Sequence, residues 1–475
     1  MSATHYLAVD LGAESGRVML GLLNQDRLGL EEIHRFPNSV VTRGEGLFWD
    51  LAQLEREIFV GLEKASHRNA PILGISADSW GVDYVLLDDK NELLADARCY
   101  RDPRNNAAVD RLLKHHPFPE IYGETGIQFM AINTLFQFEA ALHADPALFR
   151  KAHHFLTIAD YFNARFSGIA AAEQSLASTT QLYNPRRHAW SDRLIGALGL
   201  DKACFPRLVP SGTVLGPVAG SLLEHKTFAN AKVVATCSHD TGAAVAAVPA
   251  QSGRPWAYLS SGTWSLLGAE LTAPVMTDAA REAGFTNEVG LGGKIRFLKN
   301  IAGLWVVQEC RRAWEAAGET YSYDDLTRLA TESGPAGAIL ALDDPRFVTA
   351  GGMPEKIVAH CRERGQPIPS TPGQFVRTVL ESLALCYADT LTKLEGLTGE
   401  KFEVLHIVGG GTRNDLLNQL TADAVKRTVV TGPSEATAIG NVLIQALALG
   451  HLKSTDHLRR VVEASFPTRT FHPAR

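Results

Sequence analysis

No CxxC pair, no basic stripe, no long uninterrupted apolar stretch and no low-complexity tract occurs in this chain. Its six cysteines are scattered from Cys99 to Cys386, which argues against a zinc site or a disulfide framework. The adjacent pairs His115-His116 and His153-His154 lack HExxH-type spacing, so no metal is expected on them. Forty-six Lys plus Arg against 52 Asp plus Glu leave a net charge of −6, with basic residues as isolated pairs such as Arg311-Arg312. Nucleic acid binding requires a basic face, so no nucleic-acid partner is expected. The longest apolar stretches are Thr241–Ala250 and Ala436–Gly450, the latter interrupted by Asn441 and Gln445, and neither reads as a membrane span. The opening MSATHYLAVD enters a strand at once, without the n- and h-regions of a signal peptide, so a cytoplasmic location without a membrane partner is expected. A P-loop at Gly293-Lys294 fails because Glu288 replaces its first glycine and Ile295 its Ser or Thr.

What the chain does have is length and alternation. Its 475 residues exceed what one hydrophobic core organises, so two domains are expected. Apolar runs bounded by glycine predict a hairpin from Tyr6–Asp10 and Val18–Leu23, and a second from Trp256–Ser260 and Thr263–Gly268. Strands at Ile72–Ala77, Lys232–Ala235 and Glu403–Val408 alternate with helical stretches at Ala159–Phe166, Gly373–Leu397, Asn414–Val425 and Ala436–Leu449. This alternation predicts an α/β fold of two lobes with a central cleft. The segment VPAQSGRP, residues 248–255, reads as the linker, giving domains 1–247 and 248–475.

Three motifs carry possible chemistry. Asp10 ends a strand and is followed by Gly12-Ala13-Glu14-Ser15-Gly16-Arg17, a turn that could offer N–H groups to phosphate while Asp10 orients magnesium. The same residues suit an ordinary hairpin turn. Gly409-Gly410-Gly411 sits between a strand and a helix, where a ligand could approach the backbone closely or the chain could simply turn. It is no dinucleotide fingerprint, because Asn414 replaces the last glycine and no acid lies near position 430. Ser238-His239-Asp240-Thr241-Gly242 opens an apolar helix, and Asp240 could equally cap it or take a proton from a hydroxyl nucleophile.

Together these pieces resemble the FGGY carbohydrate kinases of the actin, hexokinase and sugar kinase superfamily, with motifs in family order from residue 6 to about residue 450. The likeness is carried by VDLGAESGRVML, SWGVDYVLLD, YRDPR, SHDTGAAV, YLSSGTWSL, LKNIAGLWVVQ and LHIVGGGTRNDLLNQLTADA. The loop Trp80-Gly81-Val82-Asp83 differs from those of glycerol and xylulose kinases and points to another ketose branch.

The resemblance implies two ribonuclease H-like, actin-like ATPase lobes, with sugar mainly on the N-terminal one and ATP mainly on the C-terminal one. It implies transfer of the γ-phosphoryl group of ATP to the C1 hydroxyl of L-rhamnulose, with Asp240 as the base. Fuculose, xylulose or ribulose are the alternative acceptors, and an actin-like or chaperone-like ATPase is the alternative class. By the same carry-over Ala13, Glu14, Ser15, Gly16, Arg17, Thr263, Gln308 and Gly410 face the nucleotide, with Asp10 near Mg²⁺. Gly81, His239, Asp240, Thr241 and Asn300 match sugar-contacting positions, and Trp80 or Asp83 is expected to shape that pocket. Glu14 is the departure, since a carboxylate facing phosphate is repelled unless it points outward or contacts metal.

Overall fold

Tyr6, Leu7, Ala8 and Val9 are fully buried and form the middle of strand β1 (Thr4–Leu11) in the computed structural model, which describes residues 3–68, 70–250 and 253–474. Burial of every side chain in the run is what a central strand requires. β2 (Ser15–Asn24) returns antiparallel, opposing Arg17 to Asp10. β3 (Arg27–Pro37) adds a third strand beyond the expected hairpin. Its charged RLGLEEIHRFP pattern hides it in the sequence and suits its place at the sheet edge. β4 (Ile72–Ser79) runs parallel to β1 and pairs Asp78 with Asp10, and the sheet is completed by β5 (Thr213–Pro217) and β6 (Lys232–Ala235) in the order β3-β2-β1-β4-β6-β5.

A second sheet repeats the plan. It contains β7 (Trp256–Ser261), β8 (Trp264–Leu271), β9 (Ile295–Ala302), β10 (Val404–Val408), β11 (Thr428–Thr431) and β12 (Arg469–Phe471), running β9-β8-β7-β10-β11-β12, with the short strand Thr286–Val289 at the edge beside β9. In both, a first strand pairs antiparallel with its hairpin partner on one side and parallel with a later strand on the other.

The chain divides into two compact units that are not consecutive halves. The first comprises Met1–Pro249, Glu270–Phe297 and Ala436–Ser465, and the second Ala250–Ala269, Leu298–Glu435 and Phe466–Arg475. The first unit's main segment ends at Pro249, close to the 247/248 boundary expected from the sequence, and shorter segments from later in the chain join it. Within the expected linker, Gln251 and Ser252 lie outside the described residues.

The helix Ala436–Ala448 explains part of the interleaving, because it packs on β1, β4 and the helix Asp240–Ala246. A Cβ at Gly440 would stand 1.9 Å from the Ala243 carbonyl oxygen, so only glycine permits this approach. Asn441 and Gln445, polar interruptions in the sequence, are fully buried and bonded: Asn441 donates to Asp78 Oδ2 at 2.6 Å and Gln445 to the Leu7 carbonyl at 2.9 Å. Among the described residues, no helix is long and apolar enough to cross a membrane.

Candidate active site

In the first unit, the carboxyl ends of neighbouring strands converge, the position where α/β sheets bind ligands. β1 delivers Asp10, β4 delivers Asp78 and then Gly81, and the chain beyond β6 delivers His239, Asp240 and Thr241. Backbone bonds lock these ends together: Trp80 N–H donates to the Leu11 carbonyl at 3.1 Å and Ser79 N–H to the Ser238 carbonyl at 2.8 Å. Six of the predicted residues, Asp10, Arg17, Gly81, His239, Asp240 and Thr241, therefore belong to one sheet end.

The turn after β1 is a built loop. Gly12 N–H donates to the Ser15 carbonyl at 3.0 Å, Asn38 Nδ2 to the Gly12 carbonyl at 2.9 Å, and Asn38 N–H to the Glu14 carbonyl at 3.0 Å. Ala13 and Ser15 are half-buried, Gly16 is buried in β2, and Glu14 is exposed. Arg17 donates to Asp10 Oδ2 at 2.5 Å, so a fixed cation stands beside a nearly buried carboxylate. Asp78 is fully enclosed, and burial together with the neighbouring Asp10 pushes its carboxyl well above the usual range, against the opposing bond from Asn441. Its Oδ1 has no hydrogen-bond partner among the described residues. Asp78 escaped the sequence reading because its partners come from positions 10 and 441.

Asp240 is the first residue of its helix and not its cap, since His239 takes the N-cap position with extended backbone. The N-cap position thus belongs to His239, while the Asp240 carboxylate still satisfies one first-turn N–H. Asp240 Oδ1 accepts from Thr241 N–H at 2.5 Å and from Thr241 Oγ1 at 3.1 Å, and the side chain keeps 30% of its surface exposed. A constrained, partly open carboxylate at a helix start can accept a proton from a bound hydroxyl.

Two buried carboxylates that the sequence did not single out surround this segment. Glu173 Oε2 accepts Ser238 N–H at 3.0 Å and Ser175 N–H at 2.9 Å, while Ser175 Oγ receives His239 N–H at 3.0 Å. Glu288 Oε2 stands 3.2 Å from His239 Nδ1 and 3.0 Å from an Arg296 guanidinium nitrogen. Burial pushes the Glu288 carboxyl up, but Arg296 and His239 outweigh that and hold it below its ordinary value. Glu288 was weighed only as a failed P-loop position, so its spacing gave no signal.

The loop after β4 is held from beneath. Fully buried Asp83 accepts from Trp49 Nε1 at 2.6 Å, Trp80 Nε1 at 3.0 Å, Gln137 Nε2 at 3.0 Å and Tyr100 N–H at 3.2 Å. Desolvation outweighs these bonds and pushes its carboxyl up to about 6. Between Gly81 and Asp83, Val82 has φ of 68°, a strained value for a β-branched residue, and its carbonyl accepts from Thr134 Oγ1 at 2.6 Å. Trp80 and Asp83 are thus interior residues that fix the shape of the loop.

In the second unit, the turn between β7 and β8 packs against the start of the helix Trp305–Ala316. Trp305 N–H donates to the Thr263 carbonyl at 3.1 Å, and Gln308 Nε2 reaches Thr263 Oγ1 at 3.3 Å, bringing two predicted residues together. The glycine triplet follows β10, whose last residue Val408 pairs with Ser260. Gly409 has φ of 88°, and a Cβ at Gly411 would lie 2.0 Å from Ser261 Oγ, so both serve the close packing of the two turns. Gly410 alone faces open space. Asn300 lies half-buried on β9, two strands from β7.

Comparison with known proteins gives this arrangement a family. The family model described as the N-terminal domain of the FGGY family of carbohydrate kinases matches residues 5–247, and that of the C-terminal domain matches residues 257–449. The chain is 42% identical over 469 residues to a rhamnulokinase of Bacteroides thetaiotaomicron, covering 99% of this chain and 96% of that protein. It is 41% identical to a rhamnulokinase of Enterococcus faecalis, covering 98% and 94%. Among solved structures, a ligand-bound xylulose kinase from Lactobacillus acidophilus superposes with a TM-score of 0.79 at 16% identity, covering 99% of this chain and 94% of that one. Plasmodium falciparum glycerol kinase with ADP gives 0.80 at 13% identity, with the same coverages, so the α/β lobes have the actin-like ATPase fold. With both domain models matched and the relatives aligned end to end, the chain belongs to the FGGY family of carbohydrate kinases.

Proposed function

We propose that this kinase transfers the γ-phosphoryl group of ATP to the C1 hydroxyl of L-rhamnulose, forming L-rhamnulose 1-phosphate and ADP in L-rhamnose catabolism. The observation that carries the substrate is the likeness to proteins named rhamnulokinase across the whole chain. The chemistry rests on Asp240, which is constrained at Oδ1 and half-open at a sheet end shared with Asp10 and Arg17.

In this mechanism Asp240 accepts the C1 hydroxyl proton as that oxygen forms its bond to the γ-phosphorus and the bond to the ADP oxygen breaks. Gly81, His239, Thr241 and Asn300 hold the sugar. Ala13, Glu14, Ser15, Gly16 and Arg17 line the phosphates, Glu14 through its backbone because its side chain is on the surface. Thr263, Gln308 and Gly410 serve the nucleotide, so residues 1–247 act mainly on sugar and 248–475 mainly on ATP. Arg17 supplies fixed positive charge where phosphoryl oxygens gain negative charge. Asp10, with the unpartnered Oδ1 of Asp78 beside it, fits a hard cation in donor chemistry. Magnesium held there would neutralise phosphate charge. The protein is read as cytoplasmic.

The test is ADP release with Mg²⁺ and ATP across L-rhamnulose, L-fuculose, D-xylulose, L-ribulose and glycerol, with a blank lacking sugar. Preference for L-rhamnulose is the expected result. Preference for another acceptor replaces the substrate, and turnover indifferent to sugar overturns the kinase reading in favour of a motor or chaperone ATPase.

A further inference from the structure

A fully buried arginine requires a reason. Arg296 has no exposed surface, and its side chain packs closely along the backbone of two glycines. A Cβ at Gly242 would lie 3.6 Å from Arg296 Cζ, and one at Gly290 would lie 3.1 Å from Cγ. Burying such a charge is costly unless it is paired and bonded. Arg296 Nε donates to the Val289 carbonyl at 3.2 Å, and one terminal nitrogen stands 3.0 Å from both Glu288 Oε2 and His239 Nδ1.

The same imidazole turns its other nitrogen to the reacting carboxylate, with His239 Nε2 3.4 Å from Asp240 Oδ1. On the Nδ1 side the hydrogen-bonded partner is Arg296, from which Nδ1 accepts, while Glu288 Oε2 lies 3.2 Å away without an aligned hydrogen bond and pairs by charge with the same guanidinium. With Nδ1 accepting, Nε2 must carry the proton. Nε2–H also suits the neighbouring Asp240 oxygen, against which a bare Nε2 would set its lone pair. All contacts of Asp240 among the described residues then fall on Oδ1, namely Thr241 N–H, Thr241 Oγ1 and His239 Nε2. Oδ2 is left for an incoming hydroxyl.

We infer that Glu288 and Arg296 are positioning residues for phosphoryl transfer, fixing the His239 ring with Nε2–H toward Asp240 so that Oδ2 receives the sugar proton. The inference rests on the reading of Asp240 as base. Neither residue touches the reacting atoms. They act through His239, and a pair bridging residues 239 and 296 couples the base to the strand that continues toward Asn300.

The test is a double-mutant cycle of Glu288→Gln, Asp240→Asn and the pair, following kcat and both KM values alongside thermal unfolding. Glu288→Gln keeps the shape and removes the charge. It is expected to lower kcat on the order of ten- to a hundred-fold, with both KM values within about threefold of the parent. In the Asp240→Asn background it is expected to cause no further loss, because its effect runs through that carboxylate. A folded Glu288→Gln enzyme with parental kcat, or an equal loss in both backgrounds, overturns the inference. If Asp240→Asn itself keeps parental kcat, the base assignment fails first. Should Glu288→Gln not fold, ¹⁵N imidazole NMR of the unmodified enzyme decides: a protonated His239 Nε2 is expected, and a bare Nε2 overturns the inference.

Discussion

The two sheets share a strand plan, yet their carboxyl ends carry different chemistry. The end of the first gathers Asp10, Arg17, Asp78 and Asp240, with Glu173, Glu288 and Arg296 buried behind them. The corresponding end of the second offers Ser261, Thr263, Gln308 and three glycines. One repeated backbone frame thus presents ionisable side chains in one unit and hydroxyls, an amide and bare main chain in the other. Charged groups are needed where a proton moves and charge develops, whereas a nucleotide can be held by backbone and neutral donors. The fold supplies the strand ends, and the residues placed on them decide the use.

The contrast can be broken most decisively at Asp240. Asp240→Asn is expected to lower kcat on the order of a hundred- to ten-thousand-fold, read by ADP release with saturating ketose and ATP. A variant that turns over like the parent would remove proton transfer from this sheet end. In the second unit the matching experiment is steric. Gly411→Ala drives a methyl group into Ser261 Oγ and is expected to cost about 1–3 kcal/mol of stability and to raise KM for ATP. Unchanged unfolding and unchanged ATP dependence would show that the turn tolerates side chains.

Asp83 sharpens the role of burial. Its carboxyl, pushed up to about 6, holds its proton more tightly folded than unfolded. Its stabilising share is therefore present in acid and fades as pH rises toward and through about 6. Asp83→Asn misplaces an amide among donors and is expected to cost about 1–3 kcal/mol, by urea unfolding. The parent's advantage should narrow between about pH 4 and pH 7, and a gap that does not change with pH would contradict the raised carboxyl. The smallest effect is expected at Gly410, where Ala meets open space and stability should stay within about 0.5 kcal/mol. A higher KM for ATP there would place the nucleotide against that backbone.

Much of the frame was legible in the sequence because it is locally encoded. The uniformly apolar Tyr6–Val9, the glycine turn after Asp10 and the apolar helix after His239 each combine a burial pattern with a turn signal. β3 was missed because an edge strand can carry charges that erase the apolar pattern. The packing of Ala436–Ala448 in the first unit was not legible, because it reads as a plain apolar helix of the second half. Nothing local shows that Asn441 and Gln445 will meet Asp78 and Leu7.

The sequence by itself determined most of the strands and turns, since these follow from periodicity and glycine placement within a dozen positions, and its likeness to the family singled out Asp240 as the candidate base. Tertiary structure alone decided which buried charges surround that base. Glu173 reaches Ser238 across 65 positions and Arg296 reaches His239 across 57, while Asn441 reaches Asp78 across 363. Such partners are selected by the cost of leaving a buried polar group unpaired, a constraint that acts on neighbours in space and leaves no periodic trace along the chain.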